Sequence, residues 1–224
     1  MTTTPGLIAR LSSHPAPVRR AWHPAGRAAT WLGMSAAVIG GLALLHGPRP
    51  DLAARLQEEN FCLGCAACVA TGALAALAAF LLSLPDRSRL WLLLPMPAAA
   101  LWLASVGYGC LSHWVPLGDA AIDPAEAWRR LTTLVLAWVP LSAALFWMLR
   151  RSARLRPQGA VLAASMAAAA ATASAMTLIH AFDASAMILA WTAGAAALVL
   201  AADAAIGRAV LRPGRTQAGI STAS

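Results

Sequence analysis

A chain of 224 residues that is 59% hydrophobic and only 12% charged is too apolar for a soluble domain, and its apolar runs recur from end to end, leaving no room for a second, soluble one. Its formal charge of +8 comes from 17 basic residues, all of them Arg, which gather between the apolar runs. That placement marks membrane topology and excludes direct nucleic-acid binding as the reason for the charge.

Residues 1–27 are polar and basic, with Arg10, Arg19, Arg20 and Arg27. The first apolar run starts too late for a signal peptide and is closed by no convincing cleavage site. Within the segment, Leu7, Ile8 and Leu11 recur at helical spacing, so one short amphipathic helix is expected, ended by Pro15 and Pro17. It reads either as a solvated tail or as a docking helix for a soluble partner.

Six apolar segments follow, at about 28–46, 61–84, 90–110, 131–149, 159–180 and 185–206. Each is close to the ~20 residues that cross a bilayer. The expected fold is an all-α membrane protein, a bundle of six transmembrane helices over 28–206, with a C-terminal tail over 207–224. Pro95, Pro97 and Pro140 read as tolerated kinks. Trp31, Trp91, Trp102, Trp114, Trp128, Trp138, Trp147 and Trp191, mostly near segment ends, read as interface anchors. Asp203, late in the last segment, reads as snorkelling beside Arg208 rather than relaying protons.

The positive-inside rule sets the orientation. With both termini in the cytoplasm, thirteen of the 17 Arg fall inside and four outside. This places the soft-ligand residues together on the outer face. His46 ends the first span there, Cys62, Cys65 and Cys68 open the second, Cys110 ends the third and is followed by His113, and His180 ends the fifth. Cysteines three apart on a helix lie on roughly one side. Thiolate and imidazole suit Cu(I) and Zn(II), and thiols in an oxidising compartment form disulfides. A Cys62–Cys65 disulfide is awkward within an ideal helix, and Cys110 to one of the three is easier if the second and third spans form a hairpin. The plain alternative is that Cys is a small apolar residue of membrane helices and His an ordinary helix-end residue. Ferredoxin spacing is discounted, because no fourth Cys follows before Cys110. No metalloprotease, nucleophile-elbow or phosphate-loop motif is present, so no enzyme chemistry is expected. A resident cofactor is not called for; transient copper or zinc is.

Several stretches resemble one family. LIARLSSHPAPVRR at 7–20, GPRPDL at 47–52, LPDRSRLWLLLP at 84–95, GYGC at 107–110, LIHAFDASAMILAW at 178–191 and IGRAVLRP at 206–213 look like the NrsF family of bacterial membrane anti-sigma factors, in order along nearly the whole chain. The resemblance implies an inner-membrane protein whose cytoplasmic N-terminal segment holds an extracytoplasmic-function sigma factor. It implies release of that sigma factor on metal or redox stress sensed by outer cysteines. On this chain, docking would fall to Leu7, Ile8, Arg10, Leu11, Arg19 and Arg20. Sensing would fall to Cys62, Cys65, Cys68 and Cys110, with His46, His113 and His180 as further donors. There is a departure: the family pattern places a second cysteine beyond the third span, and no Cys follows Cys110 here. The competing reading is a small metal carrier with a periplasmic Cys/His site. It predicts polar or Met residues continuing through the membrane, whereas below Cys68 and Met176 the spans are Ala and Leu.

Overall fold

A computed structural model describes residues 22–84, 86–112, 124–150 and 157–180, together with Ala201 and Ala205. Among the described residues there is no strand. The elements are α1 (Pro24–His46), a single-turn α2 (Leu52–Arg55), α3 (Glu59–Leu82), a 3-10 turn (Arg89–Leu93), α4 (Met96–Ser112), α5 (Pro124–Arg150) and α6 (Pro157–Ile179). Five stretches are long and apolar enough to cross a membrane: Pro24–His46, Glu59–Leu82, Arg89–Tyr108, Ala127–Arg150 and Gln158–Ile179. They match the first five expected segments. The sixth, 185–206, lies outside the described residues except for Ala201 and Ala205, and so does Asp203.

Local chemistry sets the limits of α1. Pro24 occupies its first turn, where a missing N–H costs nothing, and the His23 ring accepts from the Ala25 N–H at 3.3 Å. Gly47, at φ 78°, turns the chain away where most side chains would be strained. Between these ends, Ala28, Trp31, Ser35 and Leu42 are buried, at intervals that return to one side of a 3.6-residue helix.

The third span departs from expectation. Pro95 and Pro97 do not merely kink a continuous helix: the segment divides into a 3-10 turn, a break at Leu94 and Pro95, and then α4. Proline cannot supply the N–H that an uninterrupted helix needs here. In the turn, Trp91, Leu92 and Leu94 pack on the core, while Leu90 and Leu93 are exposed. Pro140, by contrast, sits within a continuous α5.

The centre of the bundle is the pairing of α3 with α6, flanked by α4 on α3 and by α5 on α6; α1 lies across α3, α5 and α6. Its seam is built from small residues, among them Gly72, Ala75, Ala76 and Ala79 facing Ala160, Ala163, Ala164 and Ala167. In an apolar solvent burial alone does not drive helices together, so close backbone approach and dispersion must do so. At Gly72 a Cβ would lie 3.5 Å from Ala170 Cβ and 3.7 Å from the Ala167 carbonyl, ordinary contact with little room for more. The hydroxyls in these helices bond to their own backbone four residues back, as Thr71, Ser165, Thr172 and Thr177 do. Among the described residues, no buried side-chain N or O lacks a partner.

At the end of the bundle marked by Arg27, the guanidinium donates to the Met148 carbonyl and lies 4.6 Å over the Phe80 ring, tying α1 to α5 and α3. Trp31 is fully buried one turn further on, and its Nε1–H donates to the Leu141 carbonyl at 3.1 Å. It is thus a core residue of the bundle and not an interface anchor, whereas Trp128 and Trp147 are exposed, as anchors are.

At the opposite end α3 and α4 come close. Asn60 Nδ2 donates to the Ser105 carbonyl at 3.3 Å, and a Cβ added at Gly64 would lie 2.7 Å from Ser105 Oγ. The serine hydroxyl must give up or bend its 2.8 Å bond to the Trp102 carbonyl, a cost that the better helix propensity of alanine offsets, so Gly64→Ala should be nearly neutral. Gly64→Leu should separate the two helices and cost about 1–3 kcal/mol, read as a lowered unfolding temperature in detergent.

Candidate sensory end of the bundle

The helix directions bring the C-terminal ends of α1, α4 and α6 to the same end as the N-terminal ends of α3 and α5. The cross-helix bonds Asn60 to Ser105, Arg49 to Leu178 and His180 to Thr133 fix this arrangement. This is the Cys-bearing end.

Cys62, Cys65 and Cys68 are free thiols on the first turns of α3, the first two half-buried and the third buried. Their spacing keeps them on one side of the helix, yet their partners differ. Cys62 Sγ donates back to the Leu56 carbonyl at 3.0 Å, fastening the α2 connection to the start of α3. Cys68 Sγ reaches across the seam to α6, 3.3 Å from the Ala170 carbonyl and 3.3 Å from Ser174 Oγ. Ser174 Oγ also lies 2.9 Å from the Ala170 carbonyl, so thiol, hydroxyl and carbonyl form one small network in which two protons serve three contacts.

The expected histidine donors are placed as follows. His46 is half-buried, with Nδ1 3.3 Å from the Leu42 carbonyl of its own helix. His180 is buried, with Nε2 3.0 Å from Thr133 Oγ1. The Thr133 hydroxyl also lies 3.0 Å from the Arg129 carbonyl, so this contact ties His180 to α5. Cys110 lies in α4 near its C-terminus, at this same end, but its side chain is not among those described, and His113 lies outside the described residues. Among the described residues no three His, Cys, Asp or Glu side chains converge as a metal site would require. The expected docking residues Leu7, Ile8, Arg10, Leu11, Arg19 and Arg20 also lie outside the described residues.

Arg49 is a residue that sequence reasoning passed over as one charge in a polar loop. Pro48 and Pro50 flank it, and Arg49–Leu52 forms a turn closed by the Leu52 N–H on the Arg49 carbonyl at 3.2 Å. Pro50 takes the second position, and Asp51, at φ −93° and ψ 9°, takes the third position of a type I turn. This directs the Arg49 side chain inward, where it is 2% exposed. Its Nε and NH2 each lie 2.7 Å from an oxygen of Asp51, a bidentate pair, and its guanidinium stands 5.6 Å over the Phe61 ring of α3. Its backbone N–H donates to the Leu178 carbonyl at 3.1 Å, satisfying one of the carbonyls left open at the end of α6. Arg55 extends the chain of charges, bonding Glu58 at 2.8 Å and Asp51 at 3.6 Å. The visible signal was an Arg–Asp pair two apart, held between prolines and followed by an aromatic residue at the next helix start.

The hydrogen bond from Arg49, with the charges of Arg49 and Arg55 behind it, holds the Asp51 carboxyl down to about 2. A carboxyl that titrates in the unfolded chain at about 3.9 but lower in the fold contributes stability in full above its unfolded value, and loses it as pH falls through the folded one. Asp51→Asn should therefore shrink the drop in unfolding temperature between neutral pH and about pH 3. An unchanged drop in detergent-solubilised protein would show that the pair carries none of it.

Comparison with known proteins adds one finding. The family model NrsF, negative regulator of sigma F, matches residues 11–212. No curated protein and no solved structure matches the chain.

Proposed function

The chain belongs to the NrsF family of negative regulators of sigma F, and on that premise we propose that it is an inner-membrane anti-sigma factor controlled from its Cys-bearing end. Membership implies a negative regulator of a sigma factor, and five helices long and apolar enough to cross a bilayer support a membrane protein. The finer reading is ours. The bundle has six spans with both termini in the cytoplasm. Residues 1–27 hold an extracytoplasmic-function sigma factor, with Leu7, Ile8 and Leu11 as the apolar contact and Arg10, Arg19 and Arg20 beside them. The Cys-bearing end faces the periplasm. There, oxidation or transient copper or zinc at Cys62, Cys65, Cys68 and Cys110, with His46, His113 and His180 as further donors, shifts the bundle and releases the sigma factor. A signal moves such an equilibrium only by its difference in affinity for the two states.

The observation that carries this reading is the family match, which runs from the basic N-terminal segment through every apolar helix. The test is co-purification of the host's sigma factors with the tagged full-length chain and with a chain lacking residues 1–20. Sigma factor should accompany the first and fall at least about tenfold with the second, the loss of ~1.4 kcal/mol or more of binding. Retention by the shortened chain would place docking elsewhere.

A further inference from the structure

The α3–α6 seam is layered at its Cys-bearing end. Deepest is the close approach of Gly72 to Ala167 and Ala170. Next comes Cys68, 3% exposed and bonded to Ala170 and Ser174. One turn above Ser174 on α6 is Leu178, and nearly two turns above Cys68 on α3 is Phe61. Both are held by one residue that belongs to neither helix: Arg49 bonds Leu178 through its backbone and covers Phe61 with its guanidinium.

The geometry points to a latch: Arg49, oriented by Asp51, is a positioning residue that closes the Cys-bearing end of the α3–α6 seam and controls access to the Cys68 thiol. The closed form requires three things at once. The side chain must be buried, its charge must be matched by the bidentate carboxylate, and the proline-flanked turn must keep the N–H on Leu178. Loss of the carboxylate leaves a buried, unmatched guanidinium, which must move towards water. It then leaves the Phe61 ring, and the turn is freed from the end of α6. Arg55 and Glu58 sit further out, 33% and 51% exposed, and Arg55 reaches Asp51 only at 3.6 Å, against 2.7 Å for both contacts from Arg49. This deepens the regulatory reading, since opening the latch is the change a signal at this end would drive. The inference itself concerns thiol access and can be tested without a sigma factor.

The test uses the full-length chain in native membranes, with Cys62, Cys65 and Cys110 replaced by Ser so that Cys68 is the one thiol, and follows labelling by a small maleimide. In parallel, the same background carries Cys68→Ser and Gly159→Cys, placing a reference thiol beside Leu82 at the other end of the seam. Arg49→Gln and Asp51→Asn should each raise the Cys68 labelling rate at least about tenfold, equivalent to an opening equilibrium shifted by ~1.4 kcal/mol. They should leave the reference thiol unchanged, and Arg55→Gln should alter neither. Asp51→Asn keeps the Arg49 side chain, so it remains informative if Arg49→Gln accumulates poorly. The latch is overturned if Cys68 labels at the parent rate in Asp51→Asn, if both thiols speed up together, as general loosening would produce, or if Arg55→Gln matches Arg49→Gln.

Discussion

Trp31→Ala is expected to destabilise the bundle by about 3 kcal/mol. The side chain is fully buried between α1 and α5, so its removal opens a cavity lined by atoms that lose their dispersion partners. In a bilayer the hydrophobic term largely cancels, because the separated helices are already in apolar surroundings. Packing and the Nε1–H bond to the Leu141 carbonyl then make up the cost. Trp31→Phe separates the two, keeping most of the packing while losing the hydrogen bond, for about 1 kcal/mol. Unfolding in mixed detergent gives both values. Equal losses for Phe and Ala would assign the whole effect to the hydrogen bond, and no loss for either would mean that α1 is held elsewhere, by Arg27 on Met148 and Phe80.

Trp31 also shows where reading the chain without its fold stops. Its place near the start of an apolar run is that of an interface anchor, and only the position of α5 reveals a buried acceptor at Leu141. The first five apolar segments were legible because length and hydropathy are local properties. The break at Pro95 was half legible: two prolines announced a disturbance, but whether a helix bends or divides depends on what Trp91 and Leu92 pack against. At the Cys-bearing end, spacing alone put the three thiols on one side of α3. It could not show that Cys68 is bonded to α6 while Cys62 is bonded to its own connection, because Ala170, Ser174 and Leu56 are brought there by different parts of the chain. Arg49 is the extreme case. The topology count used it only as an outer charge, yet its function in the fold rests on Asp51, Phe61 and Leu178 together.

These differences among the cysteines lead to the second large effect. Replacing all of Cys62, Cys65, Cys68 and Cys110 by Ser should abolish release of the sigma factor under copper or oxidant stress, measured with a reporter of sigma-dependent transcription. Repression in unstressed cells should be kept. Serine at 68 keeps one donor and an acceptor for the same Ala170 carbonyl and Ser174 hydroxyl, so the seam survives this change. Cys68→Leu should do the reverse. Its extra bulk enters a seam already in contact at Gly72, costs about 1–3 kcal/mol and raises reporter output without any stress, with the protein still present in the membrane. The pair separates chemistry from packing. If the fourfold Ser variant still responds, the thiols are small apolar residues and not sensors. If Cys68→Leu represses as the parent does, the spacing of α3 and α6 at this end is not what governs release, and the signal must travel through α4 or α5 instead.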